Sequence, residues 1–158
     1  MKQILFFSCF PLMLVLSGCK DNHTPYCHKM LNNAYYDIYV GFGLFHASYL
    51  YPDTLFAQLH NYRLIKSRSY KREHTKRPLE ENVTQTTPSD TVSIFYFHAD
   101  TVNKYTWENI QRDYRILRRY DLSLQDIIAL KNKNGIPEIP YPPDERMKNM
   151  KMYPPYGK

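Results

Sequence analysis

Apolar and polar positions alternate along this chain in a few distinct rhythms. A near-continuous apolar run spans Ile4 to Leu16, with Pro11 inside it. That is well short of the roughly 20 apolar residues a membrane-spanning helix requires. Between Tyr35 and Tyr51 the period is two: Ile38, Val40, Phe42 and Leu44 share one face, and Tyr39, Gly41, Gly43 and Phe45 the other. Alternation rich in β-branched and aromatic residues predicts a strand, stopped at Tyr51-Pro52-Asp53-Thr54 by turn formers. Thr91 to Ala99 predicts a second strand, with Val92, Ile94 and Tyr96 on one side and Phe95 and Phe97 on the other. A strand apolar on both faces is expected at the centre of a sheet, covered on both sides.

Helical spacing follows. Trp107, Ile110, Tyr114 and Leu117 recur at intervals of three, four and three, predicting an amphipathic helix over 106–120 capped by Thr106. Ser123 followed by Asp126 predicts a second helix with a reciprocal cap, running to Lys133 and stopped by Gly135. Ile136 to Pro143 is extended and proline-rich, suited to an edge strand or a strap. The tail keeps Met147, Met150, Met152 and Tyr153, which predicts that it packs back onto the domain, the alternative being an exposed apolar end for a partner. Leu64, Ile65 and Tyr70 suggest one short strand in the basic stretch, and Glu80 to Ser89 suggests a loop. Lys20 to Asn33 is polar and suggests a tether or its packed start. The sum is a single α/β domain over 34–158: a small mixed sheet of three to five strands with two consecutive helices, 106–120 and 124–133, packed on it.

Composition fits one domain. The chain has 158 residues, with 15 Tyr and 8 Phe to build a core and a formal charge of +6. Without residues 1–18, which carry Lys2 and no acid, 20 Lys+Arg stand against 15 Asp+Glu, leaving +5.

Leu16-Ser17-Gly18-Cys19, placed after Lys2 and the apolar run, resembles the lipobox of bacterial lipoproteins. The resemblance implies a signal peptide over 1–18, cleavage before Cys19, a thioether from Cys19 to a diacylglycerol, and acylation of the new amino terminus. The partner it implies is a lipid bilayer, reached through a lipidated tether over 19–33. A plain secretory signal would instead leave a soluble product. Two or three acyl chains hold a protein essentially permanently, where one chain binds reversibly. Further on, Asp90-Thr-Val-Ser-Ile-Phe-Tyr-Phe, Tyr105-Thr-Trp-Glu-Asn-Ile, Arg119-Tyr-Asp-Leu-Ser-Leu-Gln-Asp and Met152-Tyr-Pro-Pro-Tyr resemble a family of small Bacteroidales lipoproteins. That family transfers no catalytic residues. Lys20-Asp21 faintly resembles a surface-export signal. The resemblance thus implies an outer-membrane, lipid-anchored protein, periplasmic or surface-exposed.

Candidate chemistry is sparse. His98 and Asp100, at the end of the second strong strand, could serve an envelope hydrolase or sugar-processing enzyme as base and orienting acid. No Gly-x-Ser-x-Gly turn or phosphate-cradling glycine loop accompanies them. Arg63, Lys66, Arg68, Lys71, Arg72, Lys76 and Arg77 form a basic stretch suited to an anionic membrane surface or a glycan. An envelope location argues against nucleic acid. His23, Cys27 and His28 match no compact zinc spacing, so no metal or cofactor is expected. With Cys9 removed and Cys19 acylated, Cys27 is the one remaining thiol, with no partner to staple the fold. The expected role is a non-enzymatic interaction or accessory module, with an envelope protein or glycan as partner.

Overall fold

The computed structural model describes residues 26–42, 62–87 and 89–157. Cys19, the apolar run, His23 and the expected continuation of the first strand to Tyr51 lie outside the described residues.

Among the described residues eight strands form two sheets, where the sequence predicts one sheet of three to five. The smaller sheet contains β1 (Tyr26–Asn32), β4 (Ser69–Thr75) and β7 (Glu138–Tyr141), in the order β4-β1-β7. Its central strand pairs antiparallel with β4 and parallel with β7. Residues 26–32 are therefore packed structure: Met30 is fully buried from this strand. The larger sheet holds β2 (Ile38–Phe42), β3 (Arg63–Ile65), β5 (Thr91–His98), β6 (Arg118–Ser123) and β8 (Lys151–Tyr153), in the order β3-β2-β5-β6-β8. Every neighbouring pair in it is antiparallel.

The two sheets share one core. Met30 and Ile139 of the smaller sheet meet Ile38, Val40, Val92, Ile94, Tyr96, Tyr120 and Leu122 of the larger. Helix α1 (Leu79–Thr86) adds Leu79 and Val83, and helix α4 (Leu124–Ala129) with its cap adds Ile127 and Leu130. On its other face β5 places Phe95 and Phe97 under helices α2 (Ala99–Lys104) and α3 (Trp107–Arg112), with Ile110, Val102, Tyr105 and Trp107 closing over them. The two-faced strand expected from sequence is thus central and covered on both sides.

The helix predicted over 106–120 breaks after Arg112. Asp113 receives both Arg112 and Arg115, which hold its carboxyl down at about 2, and Tyr114 turns the chain at φ +48°. From Leu117, whose N–H donates to the Tyr96 carbonyl, the chain instead pairs with β5. Tyr120 and Leu122 then face the shared core, while Arg119 and Asp121 point the opposite way. Asp121 is buried there, accepting from Ser93 Oγ at 2.8 Å and from Arg119 Nε at 3.1 Å. Arg119, predicted on the helix, lies instead on a strand and pairs with buried Asp121.

Two further expectations change. Leu79–Thr86 is helix α1 where a loop is predicted, and the basic stretch holds two strands, β3 and β4. The reciprocal cap at α4 is present: Ser123 Oγ accepts from Asp126 N, and Asp126 accepts from Ser123 N at 2.9 Å. That helix is shorter than predicted, capped at Leu130, and Gly135 turns the following loop at φ +74°. The tail packs back through β8, buried Met147 and Met150, and Arg118 Nη1, which donates to the Pro154 carbonyl at 2.6 Å.

Among the described residues, all four sheet edges are blunted against further pairing. β3 and β8 are three residues long, β7 carries Pro140, and β4 carries Lys71 beside the core residue Met30.

One side chain fastens the sheets together. Asn32, fully buried at the end of β1, donates from Nδ2 to the carbonyls of Tyr36, Ile65 and Lys66 at 2.8, 3.1 and 3.1 Å. Its Oδ1 accepts from Ala34 N at 3.0 Å. Asn32→Ala strands these backbone groups, each costing about 1–3 kcal/mol when unsatisfied. Urea denaturation should show a loss of about 3 kcal/mol or more. A loss below about 1 kcal/mol would contradict the role given to Asn32.

Candidate functional site

The register fixes two ends of the molecule. β1 runs from Tyr26 to Asn32, so its paired strand β4 begins beside Asn32, at Ser69, and ends beside Tyr26, at Thr75. β5 reaches the Asn32 end at His98, which lies opposite Ile38. Three turns therefore meet there: 33–37, 66–68 and 98–100. Asp37 binds them together. Its Oδ1 accepts from Ser67 N and its Oδ2 from Lys66 Nζ, each at 2.8 Å, and its carbonyl accepts from Ala99 N at 3.1 Å. The Lys66 ammonium, then the Ser67 N–H, hold the Asp37 carboxyl below its usual range.

His98 sits among these turns as a helix cap. Its Nδ1 accepts the Asp100 N–H at 3.1 Å, which starts α2. A catalytic histidine oriented by an acid needs the reverse arrangement, with Nδ1–H donated to the carboxylate. Here the Nδ1 lone pair is already engaged, and the Asp100 carboxylate lies 3.7 Å away, with its side chain 88% exposed. The imidazole ring stacks on Tyr36 at 4.6 Å. Tyr36 shares a hydrogen bond with Tyr141 at 2.8 Å, and Tyr141 stacks on buried Tyr96. Burial raises the hydroxyl pKa of both Tyr96 and Tyr141, so neither supplies a phenolate at neutral pH.

The basic stretch is spread over the length of the molecule. Lys66 and Arg68 reach the pinned turns. Arg63 lies 3.3 Å from Glu73, and Arg77 sits at the far end with Glu81 and Gln85. Lys71 and Arg72 lie along β4, and Lys76 just beyond it. The seven cations thus form no single cluster: Arg63, Lys66 and Arg77 each have an acid beside them. Arg68 differs. Its guanidinium lies 4.4 Å over the ring of Tyr35, and Nη1 donates to the Asn33 carbonyl at 3.0 Å. Tyr35 is 83% exposed.

Cys27 and His28 adjoin on β1 and so point to opposite faces of the sheet. Among the described residues no cluster of three or more His, Cys, Asp or Glu could hold a metal. Cys27 lines an open groove of about 370 Å³ at the Tyr26 end, with Pro78, Leu79 and Pro137, away from His98. The sequence pattern puts Asn32 in a polar tether and Tyr35, Tyr36 and Asp37 in the first strand, which instead begins at Ile38; a short turn before a strand carries no periodic signal of its own. The run Tyr-Tyr-Asp just before an apolar strand is the only local hint.

No protein-family model, curated protein or solved structure matches the chain.

His28 gives this region its acid response. It is buried, its two ring nitrogens have no hydrogen-bond partner among the described residues, and its ring meets Phe42 edge-on at 5.3 Å. Burial first, and the charge on His74 second, push its pKa down from 6.5 to about 4. The unfolded chain takes up this proton near pH 6.5, while the folded chain resists until about pH 4. Stability therefore falls as pH drops through that window, by a few kcal/mol at most. Urea midpoints measured from pH 7 to 4 should fall less steeply for His28→Leu than for the parent chain. Equal slopes would contradict the assignment.

Proposed function

We propose that this chain is an acylated lipoprotein of the bacterial envelope whose folded part binds a partner rather than catalyses a reaction. The observation that carries the anchor is Leu16-Ser17-Gly18-Cys19 after a short apolar run that begins behind Lys2. We propose in addition that it belongs with the small Bacteroidales lipoproteins it resembles, and that it resides at the outer membrane. Among the described residues no helix is long and apolar enough to cross a membrane, which accords with attachment through lipid.

A binding role is favoured over catalysis by what the polar groups do. His98 Nδ1 caps a helix, Asp37 ties turns together, and Asp121 is held by Ser93 and Arg119. Each is engaged by a structural partner of the protein's own. The tethered end also lies away from the pinned turns. The seven-residue strand β1 puts Tyr26 about 20 Å from Asn32 at strand rise. Between Cys19 and Tyr26 the chain extends at most about 25 Å. A partner can thus approach the turns while the opposite end is held near the bilayer.

Expression of the full-length chain, with intact-mass and peptide analysis, tests the anchor. The mature protein should begin at Cys19 and carry diacylglycerol plus amide-linked acyl mass. Cys19→Ala should remain an unlipidated precursor. A trimmed product without lipid would overturn the reading.

A further inference from the structure

We propose that the Tyr35–Arg68 pair is the contact point for an acidic sugar polymer. This deepens the reading of the protein as a binding module.

Arg68 has a backbone that its side chain does not favour. Its φ is +54°, in the left-handed region that glycine and asparagine adopt at lower cost. Strain of this kind persists where the surroundings enforce it, and it gathers at ligand clamps. The surroundings here do enforce it. Arg68 N donates to the Ala34 carbonyl at 3.2 Å, Ser67 N to Asp37, and Asn32 holds the carbonyls of Ile65 and Lys66. Glycine or asparagine would satisfy every one of those backbone bonds. What arginine adds is a guanidinium spread over the Tyr35 ring, with Nη2 3.4 Å from the phenolic oxygen.

The result is a planar cation on one side of a ring that otherwise faces water. Among the described residues Arg68 contacts no acid, in contrast to Lys66 beside it, which is paired with Asp37. An unneutralised guanidinium suits a carboxylate or sulfate, which it can grip through two parallel N–H groups. An exposed tyrosine ring suits the flat C–H face of a sugar. The two recognition elements touch, so the matching ligand carries its charge on or next to a sugar ring. Asp100, exposed on the neighbouring turn, adds an acceptor for hydroxyls. Because the turns are tied by Asn32 and Asp37, little order remains to be imposed on binding.

A second copy of the chain is a poorer occupant, since two such sites would oppose like charges. A bilayer surface is poorer because an anionic phosphate headgroup offers charge without the flat C–H face that the exposed Tyr35 ring suits.

The test uses the full-length protein in detergent and four polymers: polygalacturonate, dextran sulfate, neutral dextran and polyglutamate. Both acidic polysaccharides should bind at least about tenfold more tightly than dextran, which lacks charge, and polyglutamate, which lacks the ring. Arg68→Asn and Tyr35→Ala should each weaken that binding by about tenfold, the size expected for one desolvated cation or stacking contact. Arg68→Asn should leave the unfolding midpoint unchanged or raise it, so lost binding cannot be ascribed to lost folding. Equal binding of polyglutamate, no binding of any acidic polysaccharide, or indifference to Tyr35→Ala would overturn the proposal. The Cys19 peptide mass from the same preparation reports separately on the anchor. Unlipidated protein that binds keeps this site and removes the anchor, and lipidated protein that binds nothing does the reverse.

Discussion

The structure depends on the amide of Asn32. Two sheets that share a core need something to fix one against the other at their rims, because hydrophobic contact is non-directional. Asn32 provides direction. It reaches from the end of the central strand of one sheet to the carbonyl of Ile65, on the edge strand of the other, and to the turns on either side. Being fully buried, it has no water to substitute for those partners. Its bonds are therefore obligatory. The turns 33–37 and 66–68 take their positions from it, and the 98–100 turn is tied to them through the Asp37 carbonyl.

Around that fixed rim the rest is packing on both faces of β5. Tyr96 and Ile94 face the smaller sheet, while Phe95 and Phe97 face the short helices. Tyrosines link the layers: Tyr120 donates its hydroxyl to the Pro140 carbonyl across the core, and Tyr96 stacks on Tyr141. The abundance of tyrosine in the composition has this structural use. It also has a second one. Tyr36 and Tyr35 sit side by side in sequence, one stacked on His98 and linked to the core through Tyr141, the other held out in solvent beneath Arg68.

Some of this was legible in the residues alone. β5, the reciprocal cap of α4, the proline-bearing edge strand β7 and the returning tail each follow from a local rule that the tertiary structure leaves intact. The helix predicted over 106–120 fails for a nameable reason. Trp107 and Ile110 do lie on a helix, and Tyr114 and Leu117 continue its spacing by coincidence, while the pairing of 118–123 with β5 takes precedence. Arg119 and Asp121 hid that strand, because a charge pair made inside the protein looks, in sequence, like a solvated face. The second sheet was hidden differently. β4 is polar throughout, an edge strand recognisable only from its partner β1, and β1 itself lies in a stretch that resembles a tether. Of the candidate site, the sequence offered His98, Asp100, Lys66 and Arg68. It could not place Tyr35 beside Arg68, since that proximity arises from Asn32 and Asp37 acting across thirty or more positions.

The account therefore comes down to whether ligand recognition resides on the turns that Asn32 fixes. The most direct measurement is backbone-amide chemical-shift mapping of the full-length protein titrated with short oligomers of polygalacturonate. Shifts confined to residues 33–37, 66–68 and 98–100 are the predicted result. Shifts confined instead to β4 or to the groove beside Cys27, with those turns silent, would contradict it.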